Sequence, residues 1–206
     1  MTAVSASALL GLFAVWLLSL NLLMGLLLGV QYNPYRRWPY QRINYFSLHN
    51  WTGYVALALV VGHVVLIPFS STAGWSWADA FWPARAPQQA GANVVGAISF
   101  YLLIVVVATS YLRRRMGRKS WKLVHYTSYA CAALFFWHGA VLDPKLTNQP
   151  INYLDPEKLG IVVLAVVTVA ATLMRARSFL RERARGKARK DLSHWDAPSP
   201  TEWAEG

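Results

Sequence analysis

YFSLHNWTGYVALALVVGHVVL, residues 45–66, places His49 and His63 on one segment, with thirteen residues between them that include no Asp, Glu, Lys or Arg. The apolar run that carries His63, residues 51–69, is about 20 residues long. As a helix rising 1.5 Å per residue, it crosses the roughly 30 Å of bilayer hydrocarbon. Four further blocks of the same kind lie to either side, at residues 8–30, 94–112, 123–142 and 159–174, and none has Asp, Glu, Lys or Arg in its interior. The first has no basic leader and is too long for a secretory core, so it reads as a retained helix.

Composition agrees. Of 206 residues, 55% are hydrophobic and 14% charged, where a soluble domain carries about 25% charged residues. Mean hydropathy is +0.30. An ordinary cytosolic enzyme and a disordered chain are excluded, and one cysteine, Cys131, excludes a disulfide scaffold. The expected architecture is an all-α integral membrane protein, a five-helix transmembrane bundle over residues 1–174. A basic cytoplasmic tail at 175–206 follows, helix-prone to Lys190 and disordered beyond it. The chain is expected to be multi-pass in the cell (inner or plasma) membrane.

The net charge of +11 is explained by orientation rather than by nucleic acid. With the N-terminus outside, one face receives Arg36, Arg37 and Arg42, then six basic residues between Arg113 and Lys122, then eight between Arg175 and Lys190. The other face holds only Arg85, Lys145 and Lys158. Seventeen against three satisfies the positive-inside rule with the C-terminus cytoplasmic. The basic tail would lie against anionic headgroups. Outside, residues 70–93 carry Trp75, Trp77, Trp82, Pro83 and Pro87 and are expected as an interfacial loop or short helix. Residues 143–157, with Pro144, Pro150 and Pro156, are expected to be irregular.

Ionisable residues inside membrane segments are costly and usually functional. His194 sits in the polar tail, but His49, His63, His125 and His138 fall on the second and fourth segments. Both segments run from the cytoplasm outward, so His49 and His125 share an inner level and His63 and His138 an outer one. The steps are roughly 21 Å and 19.5 Å. Haem iron accepts a neutral imidazole on each face of its macrocycle, and two levels of paired imidazoles suit two haems. Zinc would want three or four ligands around one point. Fourteen residues turn a helix by about 1400°, so His49 and His63 share a face. Thirteen leave His125 and His138 about 140° apart, which calls for a π-bulge, local unwinding or a rotated helix. Gly53, Ala56 and Gly62 would leave room for the macrocycle. Phe135, Phe136 and Trp137 crowd the outer ligand, and Cys131 serves as a small apolar residue. Arg42 and Lys122 inside, and Arg85 and Lys145 outside, are either solvated rim charges or partners for haem propionates.

Residues 45–66, and residues 109–142 (TSYLRRRMGRKSWKLVHYTSYACAALFFWHGAVL), resemble the haem-ligating helices of the ferric-reductase-like transmembrane domain family. Arg118-x-x-Trp121-Lys122-x-x-His125-Tyr126 is similar to its helix-entry pattern. That family includes NADPH oxidases, metalloreductases and the haem subunit of the bacterial periplasmic methionine-sulfoxide reductase system. The resemblance implies two b-type haems with the same unequal steps of 14 and 13. It also implies iron ligation by His49 with His125 at the inner haem and by His63 with His138 at the outer one, with no further catalytic residue assigned. Larger members have six transmembrane helices and a flavin- and nicotinamide-binding domain. Only five segments are visible here, and no glycine-rich dinucleotide fingerprint follows Met174. FAD or FMN, or a quinol, would therefore act only through a partner.

The function expected is that of a haem-containing electron-transfer component of a membrane oxidoreductase. Electrons would pass from a cytoplasmic flavoprotein or quinol to an acceptor on the outer side. One alternative is a cytochrome b anchor subunit passing electrons from an outer dehydrogenase to quinone. Another is a His-lined membrane transporter or haem-handling protein.

Overall fold

The computed structural model describes residues 2–29, 44–70, 73–143, 146, 152 and 154–195, with side chains to residue 185. Eight α-helices follow one another among them: α1 (Ala3–Gly29), α2 (Tyr45–Leu66), α3 (Trp77–Phe81), α4 (Ala90–Tyr111), α5 (Arg113–Met116), α6 (Arg118–His125), α7 (Thr127–Val141) and α8 (Pro156–Trp195). The described residues contain no strand. Four helical stretches are long and apolar enough to cross a membrane: Ala3–Gly29, Tyr45–Phe69, Ala90–Tyr111 and Pro156–Arg185.

The expected fourth span, residues 123–142, takes a different form. It is helical in two pieces, α6 and α7, broken at Tyr126 directly after His125. The Tyr126 N–H bonds back to Lys122 and the Tyr129 N–H to Tyr126, a tightened turn that resets the helix phase. The last helix runs on past its apolar stretch. Arg and Lys are good helix formers, so α8 continues through the basic residues and reaches Trp195, beyond the Lys190 limit that composition suggests.

Local chemistry sets the boundaries. Asn44 caps α2, its side-chain oxygen accepting from the Phe46 and Ser47 N–H groups at 3.1 and 3.2 Å. Pro68 lies in the 3₁₀ turn, Ile67–Phe69, that ends this span. Ser76 and Asp79 form a capping box at α3, and Trp75 donates its indole N–H to Gln88 at 2.8 Å, pinning the aromatic connection. Gly117, at φ +76°, allows the sharp turn between α5 and α6. Gln89 ties the start of α4 to the end of α7 by accepting the Asp143 N–H at 2.7 Å.

Two compact units divide the chain, Met1–Thr168 and Val169–Gly206. In the second, the described part is the continuation of α8, with the Arg183 guanidinium over the Phe179 ring at 5.5 Å. In the first, the core is formed by Val15, Leu103, Cys131, Ala132, Phe135, Phe136 and Ile161. Large apolar residues such as Phe13, Trp16, Val55, Ile104 and Val166 are exposed on the helices, as expected where lipid rather than water surrounds them. Polar contacts join the helices inside. The Asn21 amide of α1 donates to the His49 carbonyl at 2.5 Å and to the Thr52 hydroxyl at 2.7 Å on α2.

Candidate functional site

The four histidines meet in two pairs. The ring centres of His49 and His125 stand 6.3 Å apart, with planes at 70°. Those of His63 and His138 stand 6.4 Å apart, at 74°. Pairing first with first and second with second means that α2 runs parallel to α6–α7. Of the expected ways to accommodate the unequal spacing, the structure has local unwinding: α6 ends at His125 and α7 begins at Thr127, so the two histidines lie on separate helices.

Each ring is held by its Nδ1. The Nδ1–H of His49 donates to the Asn21 carbonyl at 3.1 Å, that of His63 to the Ser7 carbonyl at 2.8 Å, and that of His138 to the Ala92 carbonyl at 2.8 Å. A carbonyl only accepts, so the proton resides on Nδ1 and Nε2 keeps its lone pair. At His125 the acceptor is the Ser110 hydroxyl at 3.2 Å, whose own proton goes to the Val106 carbonyl at 2.7 Å. The three rings that face carbonyls are thus held in the tautomer that leaves Nε2 free as a ligand, and the Ser110 hydroxyl, bonded to the Val106 carbonyl, favours the same tautomer at His125.

Neighbouring helices supply flat walls. A Cβ on Gly11 would lie 2.9 Å from His63, one on Gly25 3.2 Å from His49, and one on Gly96 2.6 Å from His138. Gly11 and Gly25 on α1 are fourteen residues apart, as are Gly96 and Ser110 on α4 and the acceptors Ser7 and Asn21. α1 therefore repeats both its glycine and its acceptor at the two levels, while α4 meets His138 with Gly96 and Ala92 and His125 with Ser110. Gly53 and Gly62 serve a different purpose, since they face Asn21 and Leu10 and let α1 and α2 approach closely. The glycines that lie against the imidazoles are instead Gly11 and Gly25 on α1 and Gly96 on α4.

Two clefts adjoin the His63–His138 pair and share Gly11, Val15, His63, Ile67, Asn93 and His138. These paired imidazoles thus stand at the boundary between two spaces. Phe135 lines the first cleft, whereas Trp137 is 48% exposed and turned outward. At the His49–His125 pair Trp121 stacks on His125, ring centres 5.0 Å apart, and its buried indole N–H has no partner among the described residues. Between the levels Ser99 and Cys131 bond to each other's carbonyls at 3.1 and 3.3 Å, so the cysteine also joins α4 to α7. Lys122 and Arg85 are exposed, and Arg42 and Lys145 lie outside the described residues. The described residues hold no group of three or more His, Cys, Asp or Glu suited to a bare metal ion.

The arrangement defines a class: a helical membrane protein with two tiers of facing imidazoles. A family model, ferric reductase like transmembrane component, matches residues 10–136, and the chain belongs to that family. No curated protein and no solved structure matches it. The matched region contains His49, His63 and His125 and stops two residues short of His138.

Proposed function

We propose that the chain is a di-haem b-type membrane cytochrome. It would carry electrons across the membrane from a donor inside to an acceptor outside, as the electron-transfer component of a membrane oxidoreductase. The carrying observation is the spacing of the rings. A metal–imidazole nitrogen bond is about 2.0–2.1 Å and Nε2 lies about 1.1 Å from its ring centre. Two imidazoles gripping one metal from opposite sides therefore stand about 6.2–6.4 Å apart. The two pairs stand at 6.3 and 6.4 Å. Two ligands per site suit a metal whose other positions are filled by a macrocycle, and the glycine walls and adjoining clefts suit a flat group between the rings.

Each haem, when bound, would supply a one-electron iron couple. His49 and His125 would hold the inner one, His63 and His138 the outer one. The carbonyls of Asn21, Ser7 and Ala92, and Ser110 acting through its hydroxyl, keep the four rings aimed and strengthen them as ligands. The apolar core between the levels excludes water. The positive-inside count supports an N-terminus outside, with α6–α7 completing five crossings of the plasma membrane. A separate cytoplasmic flavoprotein, or a quinol, is the proposed donor.

The deciding experiment is the optical spectrum of the purified chain with haem quantified per polypeptide. A low-spin b-type spectrum at about two haems per chain is expected. A colourless protein, isolated intact after growth with ample iron, would refute the proposal.

A further inference from the structure

Lys158 is only 7% exposed. It sits in the first turn of α8, and its ammonium donates to the Gly139 carbonyl at 2.7 Å and to the Leu142 carbonyl, at the end of α7. An ammonium has three donors, and among the described residues two of them go to these carbonyls. Carbonyls are neutral and do not balance its charge, and a cation in so dry a place ordinarily has an anion against it. Asp143, Asp155 and Glu157 act on that charge electrostatically. Lys158 also lines the cleft that contains His63 and His138, together with Val4, Ala8, Leu12 and Ile161. The cleft wall is apolar apart from Lys158, Glu157, Ser7, Asn93 and the two histidines.

We infer that Lys158 binds a carboxylate of the group held between His63 and His138, a propionate of the outer haem, and so fixes its rotation about the iron axis. This rests on the di-haem reading. The sequence places Lys158 among the three outer basic residues, but of Lys158 and Arg85, the two that are described, only Lys158 is buried. Its ammonium also closes the C-terminal carbonyls of α7, so it ties the cofactor's edge to the helix that carries one of its ligands. The charge has a consequence for the iron. Reduction adds one negative charge, and a nearby cation favours the reduced form.

The experiment is an optical redox titration of the wild-type chain and of Lys158→Met, Lys158→Gln and Lys158→Arg. Each is also reconstituted with iron protoporphyrin dimethyl ester, in which both propionates are masked. With ordinary haem, Lys158→Met should favour the oxidised form of one haem about tenfold, a fall of 59 mV in its midpoint. The second midpoint should stay in place and Lys158→Arg should restore the first. The ammonium acts on the iron through space with either cofactor, so the carboxylate bond is read from retention: with ordinary haem Lys158→Met should lose one haem to a haem-scavenging apoprotein about tenfold faster than the wild-type chain, and with the ester the two chains should lose it alike. Loss that the substitution speeds equally with the ester would overturn the inference by showing that Lys158 acts only on the protein end. Unchanged midpoints at two haems per chain would overturn it as well. If Lys158→Met does not accumulate, Lys158→Gln and Lys158→Arg, with the ester in the wild-type chain, decide by the same readout. A wild-type chain without haem would refute the di-haem reading itself, a separate outcome from a Lys158 that leaves both midpoints alone.

Discussion

Gly96→Ala should strip the outer site while leaving the inner one in place. The added Cβ would lie 2.6 Å from Cε1, 2.7 Å from Nδ1 and 3.0 Å from Cγ of His138, whereas ordinary contact begins at 3.4 Å. The ring or the helix must therefore yield by about 0.8 Å. The ring has little freedom, because its Nδ1–H is bonded to the Ala92 carbonyl at 2.8 Å. Overpacking of this kind destabilises by about 1–3 kcal/mol. Loss of the Nδ1 hydrogen bond adds about 0.5–1.5 kcal/mol. The combined penalty of roughly 1.5–4.5 kcal/mol is about one to three decades of affinity for whatever the ring holds. Displacement of a ligand by about 0.8 Å is also large beside a metal–nitrogen bond of about 2 Å. Haem per chain should fall from about two toward one, with the surviving spectrum that of the inner site. The effect should be graded: Gly25→Ala meets His49 at 3.2 Å and should be mild, Gly11→Ala meets His63 at 2.9 Å and should be intermediate. Gly62→Ala, whose Cβ meets only the flexible end of Leu10, is the control and should retain both haems. Two haems with unaltered midpoints in Gly96→Ala would refute the cradle argument.

Other outcomes follow from the same geometry. Replacing His63 by Ala should remove mainly the outer haem, and unchanged stoichiometry would contradict the pairing. Ser110→Ala removes the acceptor of the His125 Nδ1–H, leaving a part-buried donor unsatisfied at about 1–3 kcal/mol. The inner midpoint should move, while Ser7→Ala, which leaves the main-chain acceptor of His63 intact, should shift the outer one less. Asn21→Leu removes two bonds between α1 and α2, and at about 0.6 kcal/mol for each such contact in a membrane it should lower thermal stability modestly in a detergent melt. The Ser76 hydroxyl, and then its N–H, hold the Asp79 carboxyl below the ordinary carboxylate range. The cap this carboxylate gives α3 should therefore be intact in neutral and mildly acidic solution. It should be lost only as pH falls through that lowered value, read as faster amide exchange at the start of α3.

Much of this is visible in the sequence. Uncharged blocks of span length stand out because lipid leaves no other use for them, and four histidines inside such blocks stand out because they are costly there. The 140° offset between His125 and His138 makes local unwinding one of the expected outcomes, but its position after His125 is not visible, because Tyr126 is neither Gly nor Pro. The supports are legible in principle. Gly11 with Gly25, and Gly96 with Ser110, repeat the fourteen-residue interval of His49 and His63, but small residues are common in membrane helices for close packing alone. Gly53 and Gly62 invite the reading of a haem pocket because they sit on the ligand helix itself, yet they serve packing. Lys158 is hidden by position. A lysine at the edge of a span ordinarily snorkels to water, and only the carbonyls at the end of α7 show that this one is turned inward.

The carbonyls that grip His49, His63 and His138 carry a consequence for how such a protein changes over time. A main-chain oxygen is present whatever the residue, so no point mutation at Asn21, Ser7 or Ala92 deletes the acceptor itself. The fourth ring is braced by a side-chain hydroxyl, which one nucleotide change can erase or restore. Variation among descendants of this chain therefore has a ready handle at a single imidazole, that of His125.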